Sequence, residues 1–209
     1  MSRYQMLGRA LFFSLFGAWT FFATANTPSS DPPIILVNDR LFLLEDQTSH
    51  LNPQQAFAAY KQGAFTQNIH NKVSLGFTQS TIWAVLPIEN ITDGPLQRVI
   101  KIDNAWLDNV ELYFFTAGAL VNQVSIGDNV PFTRRMRKER MPSVAHQFPV
   151  GTSHVLFRFN SEDPLTIPIY IGSEKAMVSA FAANAYFYGA LYGGLLILLI
   201  YNLALYFYL

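Results

Sequence analysis

The sequence predicts a mainly β protein: an antiparallel jelly-roll-like sandwich with one short helix, followed by a C-terminal transmembrane helix. Two observations predict it. From residue 81 onward, apolar and polar residues alternate with period two in short runs separated by turn residues. After Lys175, no charged residue remains to the end of the chain at Leu209.

In chain order, Ile34–Val37 and Leu41–Leu44 read as short strands about the turn Asn38-Asp39-Arg40. Asn52-Pro53-Gln54-Gln55 reads as a helix start: Asn52 caps, Pro53 suits the first helical position, and Gln55 completes a capping box. Ala56, Phe57, Ala59 and Tyr60 supply its apolar face before Gly63 ends it. Strands then follow at Thr81–Glu89, Leu96–Asp103, Val110–Phe115, Leu120–Ile126, His154–Phe159 and Leu165–Ile171. Along them Val110, Leu112 and Phe114 oppose Glu111, Tyr113 and Phe115. Val155, Phe157 and Phe159 likewise oppose His154, Leu156 and Arg158, and Leu165, Ile167, Ile169 and Ile171 share one face. Trp83, in mid-strand, is expected in the core. Short strands with regular turns point to a sandwich.

Both ends are apolar in different ways. Residues 1–25 have the form of a signal peptide: Arg3 and Arg9, the apolar run Leu11 to Phe22, then Ala23-Thr24-Ala25 as a small-x-small cleavage site, with Asn26 as the expected mature start. Residues 26–33 form a polar, proline-rich linker. The span 34–175 is the expected extracytoplasmic domain, 176–185 a juxtamembrane segment and 186–209 the membrane helix. The 24 residues from Tyr186 to Leu209 contain one amide, Asn202, and no charge. As a helix they span about 36 Å, against about 30 Å for a bilayer hydrocarbon core. An N-terminal export signal places the domain between the two apolar ends outside. The expected location is a bacterial inner membrane, with the soluble domain in the periplasm. No basic residue follows the helix, which reads as a fragment of a longer protein or a gene cut short. Gly189 and Gly193 are four apart, a spacing that permits close helix contact or reflects glycine's abundance in membrane helices, and Asn202 would seek an interhelical partner.

Composition removes several function classes. The chain has 14 basic and 14 acidic residues; without Arg3 and Arg9, 12 basic face 14 acidic, which gives no reason to propose nucleic acid. With no cysteine, thiolate metal sites, disulfides and a cysteine nucleophile are excluded. His50, His70, His146 and His154 lie without metal-ligand spacing, and Glu45-Asp46 and Glu162-Asp163 are adjacent acids that point to different faces. No metal site, cofactor or catalytic residue is expected, and the chain reads as no enzyme. Two features do point to binding. Arg134-Arg135-Met136-Arg137-Lys138-Glu139-Arg140 concentrates basic residues, so Arg134, Arg135 and Arg137 are candidates to hold an anion or acidic partner. The alternative is a solvated loop or one resting near anionic lipid headgroups. Trp106 lies between two strands in Asp103-Asn104-Ala105-Trp106-Leu107-Asp108, where a ring can stack on a sugar face and Asp108 and its polar neighbours can bond hydroxyls.

Several phrases taken together resemble one family. They are Leu75-Gly76-Phe77 followed by Ile82-Trp83 and Glu89-Asn90; Trp106 to Tyr113; Ile126-Gly127-Asp128 with the basic stretch after it; and His154–Phe159 before Leu165–Ile169. The end, Tyr188-Gly189-Ala190-Leu191-Tyr192-Gly193-Gly194 and then Tyr201-Asn202-Leu203, is similar to that family's first membrane helix. The family is the bacterial seven-transmembrane receptors with diverse intracellular signalling modules (7TMR-DISM), with the type-2 extracellular domain, and the resemblance covers residues 34–209. It departs at Trp83-Ala84-Val85-Leu86, which lacks an arginine common in relatives. The resemblance implies a jelly-roll-like ectodomain, similar to carbohydrate-binding modules, that senses a ligand for a receptor whose remaining helices and output domain are not in this chain. The implied partners are a small polar ligand (carbohydrate or anion), membrane lipid and other transmembrane helices. The alternative is a membrane-tethered carbohydrate-binding or adhesion module without signalling.

Overall fold

The computed structural model describes residues 33–208 except Met136 and Lys138. The expected signal peptide, most of the linker and Leu209 lie outside the described residues.

The strands are β1 (Ile35–Leu36), β2 (Phe42–Asp46), β3 (Thr66–Gln67), β4 (Ser74–Gly76), β5 (Thr81–Asn90), β6 (Leu96–Ile102), β7 (Asn109–Thr116), β8 (Ala119–Ile126), β9 (Ser143–Phe148), β10 (Gly151–Asn160), β11 (Leu165–Thr166) and β12 (Ile169–Gly172). Helix α1 is Pro53–Lys61 and α2 is Glu174–Tyr208. Pairing is antiparallel throughout. One sheet has the order β1-β12-β6-β9, a second β3-β2-β5-β10-β7-β8, and β11 and β4 form a short ribbon. The predicted sandwich is therefore the observed architecture.

The two larger sheets bury their facing sides together. Ile100, Ile102, Val144, Phe148 and Ile169 meet Ala84, Leu112, Phe114, Val155, Phe157 and Phe159 in one cluster, each large side chain contributing about 1.5–3 kcal/mol by leaving water. The opposite face of the six-stranded sheet is also apolar. There Trp83, Val85, Tyr113, Phe115 and Leu156 lie under Ala56 and Phe57 of α1, and the Phe57 ring stacks on Phe115 with centroids 4.0 Å apart. The capping box of Asn52 and Gln55 starts α1 as the sequence predicts.

Three strands depart from the sequence reading. β9 was not predicted, because His146 interrupts the apolar alternation of Val144 and Phe148; its ring instead stacks on Phe114 at 3.9 Å. The short β3 and β4 were also not predicted. The run Leu165–Ile171 is not one strand. Pro168 lacks the N–H that a continuous ladder needs, and the chain changes sheets there, from β11 to β12. Asn38 manages the crossing from a 3-10 turn: its buried amide donates to the Ile167 carbonyl at 2.8 Å and its carbonyl oxygen accepts from the Ile169 N–H at 2.9 Å.

The helix α2 is continuous from Glu174, so the expected juxtamembrane segment is helical. Its first turns lie on the outer face of β6 and β12. Glu174 accepts from Gln97 at 2.9 Å, Met177 is buried, and the Lys101 ammonium lies 5.9 Å from the Phe181 ring centre and 4.8 Å from that of Tyr170. Gly172 makes room for this: a Cβ there would stand 3.3 Å from Met177 Cε and 3.1 Å from Ile34 Cγ1. From Ala182 to Tyr208 the helix is exposed along its whole length. It is the one helix among the described residues long and apolar enough to cross a membrane.

Two predictions concern stability. Asn38→Ala removes two buried hydrogen bonds and should cost about 2–4 kcal/mol, read as a lower midpoint of β-domain unfolding by near-UV circular dichroism in detergent. Asp46 accepts hydrogen bonds from the Thr48 hydroxyl, 2.7 Å, and from the N–H groups of Thr48, Ser49 and Leu51 at 3.0–3.2 Å. Burial pushes its pKa up, but the Leu51 and Thr48 hydrogen bonds outweigh that and hold the carboxyl below its ordinary value of 3.8. A depressed folded pKa means stability fully present above that ordinary value and lost as pH falls through the folded one. Asp46→Asn should flatten this acid limb when the unfolding midpoint is followed against pH.

Candidate functional site

Antiparallel connection puts four loops at one end of the sandwich: 77–80 before β5, 103–108 between β6 and β7, 127–142 between β8 and β9, and 161–164 after β10. Between them lie two open hollows. One, of about 340 Å³, is lined by Asp103, Asn104, Ala105, Trp106, Asp128, Arg140 and Met141. The other, of about 670 Å³, is lined by Phe77, Thr78, Gln79, Asn160, Ser161 and Glu162.

Trp106 is 77% exposed although its backbone is held. Its N–H donates to the Asn104 side-chain oxygen at 3.0 Å, while the Asn104 amide donates to the Thr166 carbonyl at 2.9 Å. A loop held by these two bonds thus presents a bare aromatic face beside polar groups, a geometry suited to stacking. The acids of the hollow are already paired: Asp103 with Lys101 at 3.0 Å, and Asp128 with Arg135 at 3.6 Å. Arg140 is exposed and makes no ion pair among the described residues.

The other expected site residues separate into distinct roles. The carboxylate of Asp108 accepts from the Ser161 hydroxyl at 2.8 Å and the Glu162 N–H at 2.9 Å, making it a strut between the two hollows. The guanidinium of Arg135 donates to the carbonyls of Val130 and Gly127. That of Arg137 pairs with Glu139 at 2.7 Å and with Glu174 of α2 at 2.9 Å, and Glu139 in turn accepts from Ser143 at 2.6 Å. Arg135 therefore fastens the 127–142 loop internally, and Arg137 fastens it both internally and to α2. Arg134 is exposed, with no ion pair or side-chain hydrogen bond among the described residues. The basic run is therefore divided between fastening cations, Arg135 and Arg137, and outward ones, Arg134 and Arg140. Sequence spacing cannot separate these because all sit in one irregular loop.

Gly127 sets the path of that loop. Its φ is +120°, and a Cβ would lie 2.5 Å from the Asp108 carbonyl oxygen and 2.9 Å from that of Leu107. These carbonyls accept the N–H groups of Asn129 and Asp128, so the 103–108 and 127–142 loops are sewn together. The Asp103, Asn104 and Asp128 contributions were partly legible as polar residues around Trp106 and in the Ile126-Gly127-Asp128 phrase. The approach of Phe77 to Glu162 was not, because it depends on strand order.

At the opposite end a groove of about 640 Å³ lies among Ile35, Arg40, Glu89, Ile91, Leu96 and Arg98. His146 and His154 are half-buried, and burial lowers the pKa of each, with Lys61 adding to the shift of His154. Neither stands in a group suited to a metal, and no such group occurs among the described residues. In α2, a Cβ at Gly189 or Gly193 would meet open space, and the Asn202 amide donates to the Leu198 carbonyl at 2.8 Å. At about 100° per residue, Asn202 stands on the opposite side of the helix from Gly193.

These features define a class: a β-sandwich domain with two loop-lined hollows at one end, packed on the head of a helix fit to cross a membrane. The model of the 7TMR-DISM extracellular 2 family matches residues 38–173, and the chain belongs to that family. Such a domain is the extracellular, sensory part of a receptor, and the family is not one of enzymes. No curated protein matches the chain significantly. Two solved structures are similar to it. One is a native family 35 carbohydrate binding module from Clostridium thermocellum, 7% identical, covering 68% of this chain and 98% of that one with a TM-score of 0.32. The other is CsCBM6-3 from Clostridium stercorarium in complex with cellobiose, 9% identical, covering 63% and 92% with a TM-score of 0.26.

Gly127→Ala tests the loop seam. A side chain at this φ, driven against backbone carbonyls, should cost at least about 2 kcal/mol and lower the thermal midpoint by about 4–8 °C, measured by near-UV circular dichroism of the full chain in detergent.

Proposed function

We propose that the chain is the ligand-sensing part of a bacterial inner-membrane receptor. Its sandwich stands in the periplasm and its first membrane helix is joined in the full receptor to further helices and an output domain. One observation carries the reading. The single loop 127–142 supplies Asp128, Arg140 and Met141 to the Trp106 hollow and, through Arg137, holds Glu174 at the start of α2. A ligand that moves this loop therefore acts directly on the helix.

The ligand is a small polar molecule, a carbohydrate or an anion, stacked on Trp106, with Arg140 as its cation and Arg134 near it in sequence. Asp108, Arg135 and Arg137 position the loops rather than touch the ligand. Gly189 and Gly193 on one side of α2 and Asn202 on the other offer contacts to two different neighbouring helices, as a first helix within a bundle requires.

A thermal-shift screen of the full chain in detergent against sugars and organic anions tests the proposal, because any ligand specific to the native state raises the midpoint. Trp106→Ala should weaken binding of the responding compound by about 10-fold, or about 1.4 kcal/mol, with the fold intact by circular dichroism. Response to no compound would sink the reading of a soluble carbohydrate or anion as the ligand. Binding that leaves the Arg137–Glu174 contact unchanged, followed by spin labels on the loop and on α2, would instead favour a tethered carbohydrate-binding or adhesion module.

A further inference from the structure

We propose that the Trp106 hollow opens toward the bilayer and takes the phosphate headgroup of an anionic membrane lipid; this rests on the hollow being the ligand site. The direction of α2 is the first ground. Glu174 meets Gln97 near the start of β6, Met177 lies against Gly172, which pairs with Val99, and Phe181 meets Lys101 near the end of β6. The helix therefore runs along β6 in the same direction and leaves the domain at the end where the 103–108 and 127–142 loops lie. Any bilayer that α2 enters faces those loops, and the groove among Ile35, Ile91 and Arg98 faces away.

The second ground is depth. Trp106 follows Lys101 by five residues, and Tyr186 follows Phe181, its neighbour on the helix, by five. Five helical residues rise only about 7.5 Å. Tyr186, Phe187 and Tyr188 are exposed aromatics at the head of the apolar stretch, the residue types that collect at the membrane–water interface. Trp106, in the loop that follows β6 at this same end, is placed by the proposal beside the headgroup layer, where an exposed tryptophan is favoured.

The third ground is charge. Lys101 and Arg135 already neutralise Asp103 and Asp128, so the exposed Arg140 and Arg134 leave the 127–142 side of this rim positive, while Asp108, Glu162 and Asp163 keep the side toward the 161–164 loop acidic. Guanidinium groups at a membrane surface are drawn to anionic lipid and grip phosphate in bidentate fashion. Phe132, 52% exposed in the same loop, adds an apolar contact.

The full chain in nanodiscs tests this. Discs of phosphatidylcholine alone are compared with discs that also contain phosphatidylglycerol, and each is doped with a lipid bearing a headgroup nitroxide. On a Trp19→Phe background, which removes the tryptophan of the N-terminal apolar run, nitroxide quenching of tryptophan emission should be present in both and largely lost when Trp106→Phe is added, since Trp83 is buried. Phosphatidylglycerol should raise the thermal midpoint of the β domain, and Arg134→Ala with Arg140→Ala should abolish that shift while near-UV circular dichroism shows the fold retained. Absence of Trp106 quenching overturns the membrane-facing placement, while a thermal response to a soluble sugar or anion that Trp106→Ala removes would still uphold the ligand site. Quenching without a phosphatidylglycerol shift overturns headgroup recognition. Free glycerol phosphate stabilising the chain in phosphatidylcholine discs as well as phosphatidylglycerol does also overturns it, and assigns the hollow to a soluble anion.

Discussion

Packing of Ile100, Ile102 and Ile169 of one sheet against Leu112, Phe114 and Phe157 of the other holds every other feature in place. Aligned sheets can bury their facing sides only if strands alternate inward and outward with a fixed register, since a slip of one residue would turn each apolar side chain to the wrong face. Once that register holds, all connections fall at the two ends of the sandwich. The loops at one end then become neighbours although they come from residues 77 to 164.

The outer faces of the two sheets are used differently. On the six-stranded sheet, α1 covers Trp83, Tyr113 and Phe115, which makes the middle strands apolar on both sides. On the four-stranded sheet, the first turns of α2 cover β6 and β12, with Met177 seated against Gly172. The helix is therefore packed on the domain it carries. With 35 residues it is about 52 Å long, well beyond a hydrocarbon core of about 30 Å, so its head can dock on the sheet while its remainder spans. Glu174 and Lys175 at that head are its only charges.

Polar side chains concentrate where the sandwich cannot satisfy its own backbone. Asn38 bridges the sheet change at Pro168, and Asp46 gathers the N–H groups before α1. Asn90 caps the 90–95 turn by donating to the Gly94 and Phe148 carbonyls at 2.9 and 3.1 Å. Asp108 and Arg135 do the same work at the loop end, where Arg137 instead pairs with the carboxylates of Glu139 and Glu174. Among the described groups left unpaired there are the Trp106 ring and the outward arginines, the groups proposed to meet another molecule.

The sequence alone determined the β class, the capping box of α1, the apolar alternation of β7 and β10 and the membrane character of α2, because each is a local pattern with a fixed period or length. It also placed Trp106 on a loop. Tertiary structure alone decided that Leu165–Ile171 splits between two sheets and that β9 forms despite His146, because pairing partners distant in the chain settle both. The division of one basic run into fastening and outward cations was likewise beyond the sequence. Arg137 and Arg134 are chemically identical, and only the fold of the loop that sets Glu139 beside one of them, together with the arrival of Glu174 through the packing of α2 on β6, gives them different roles.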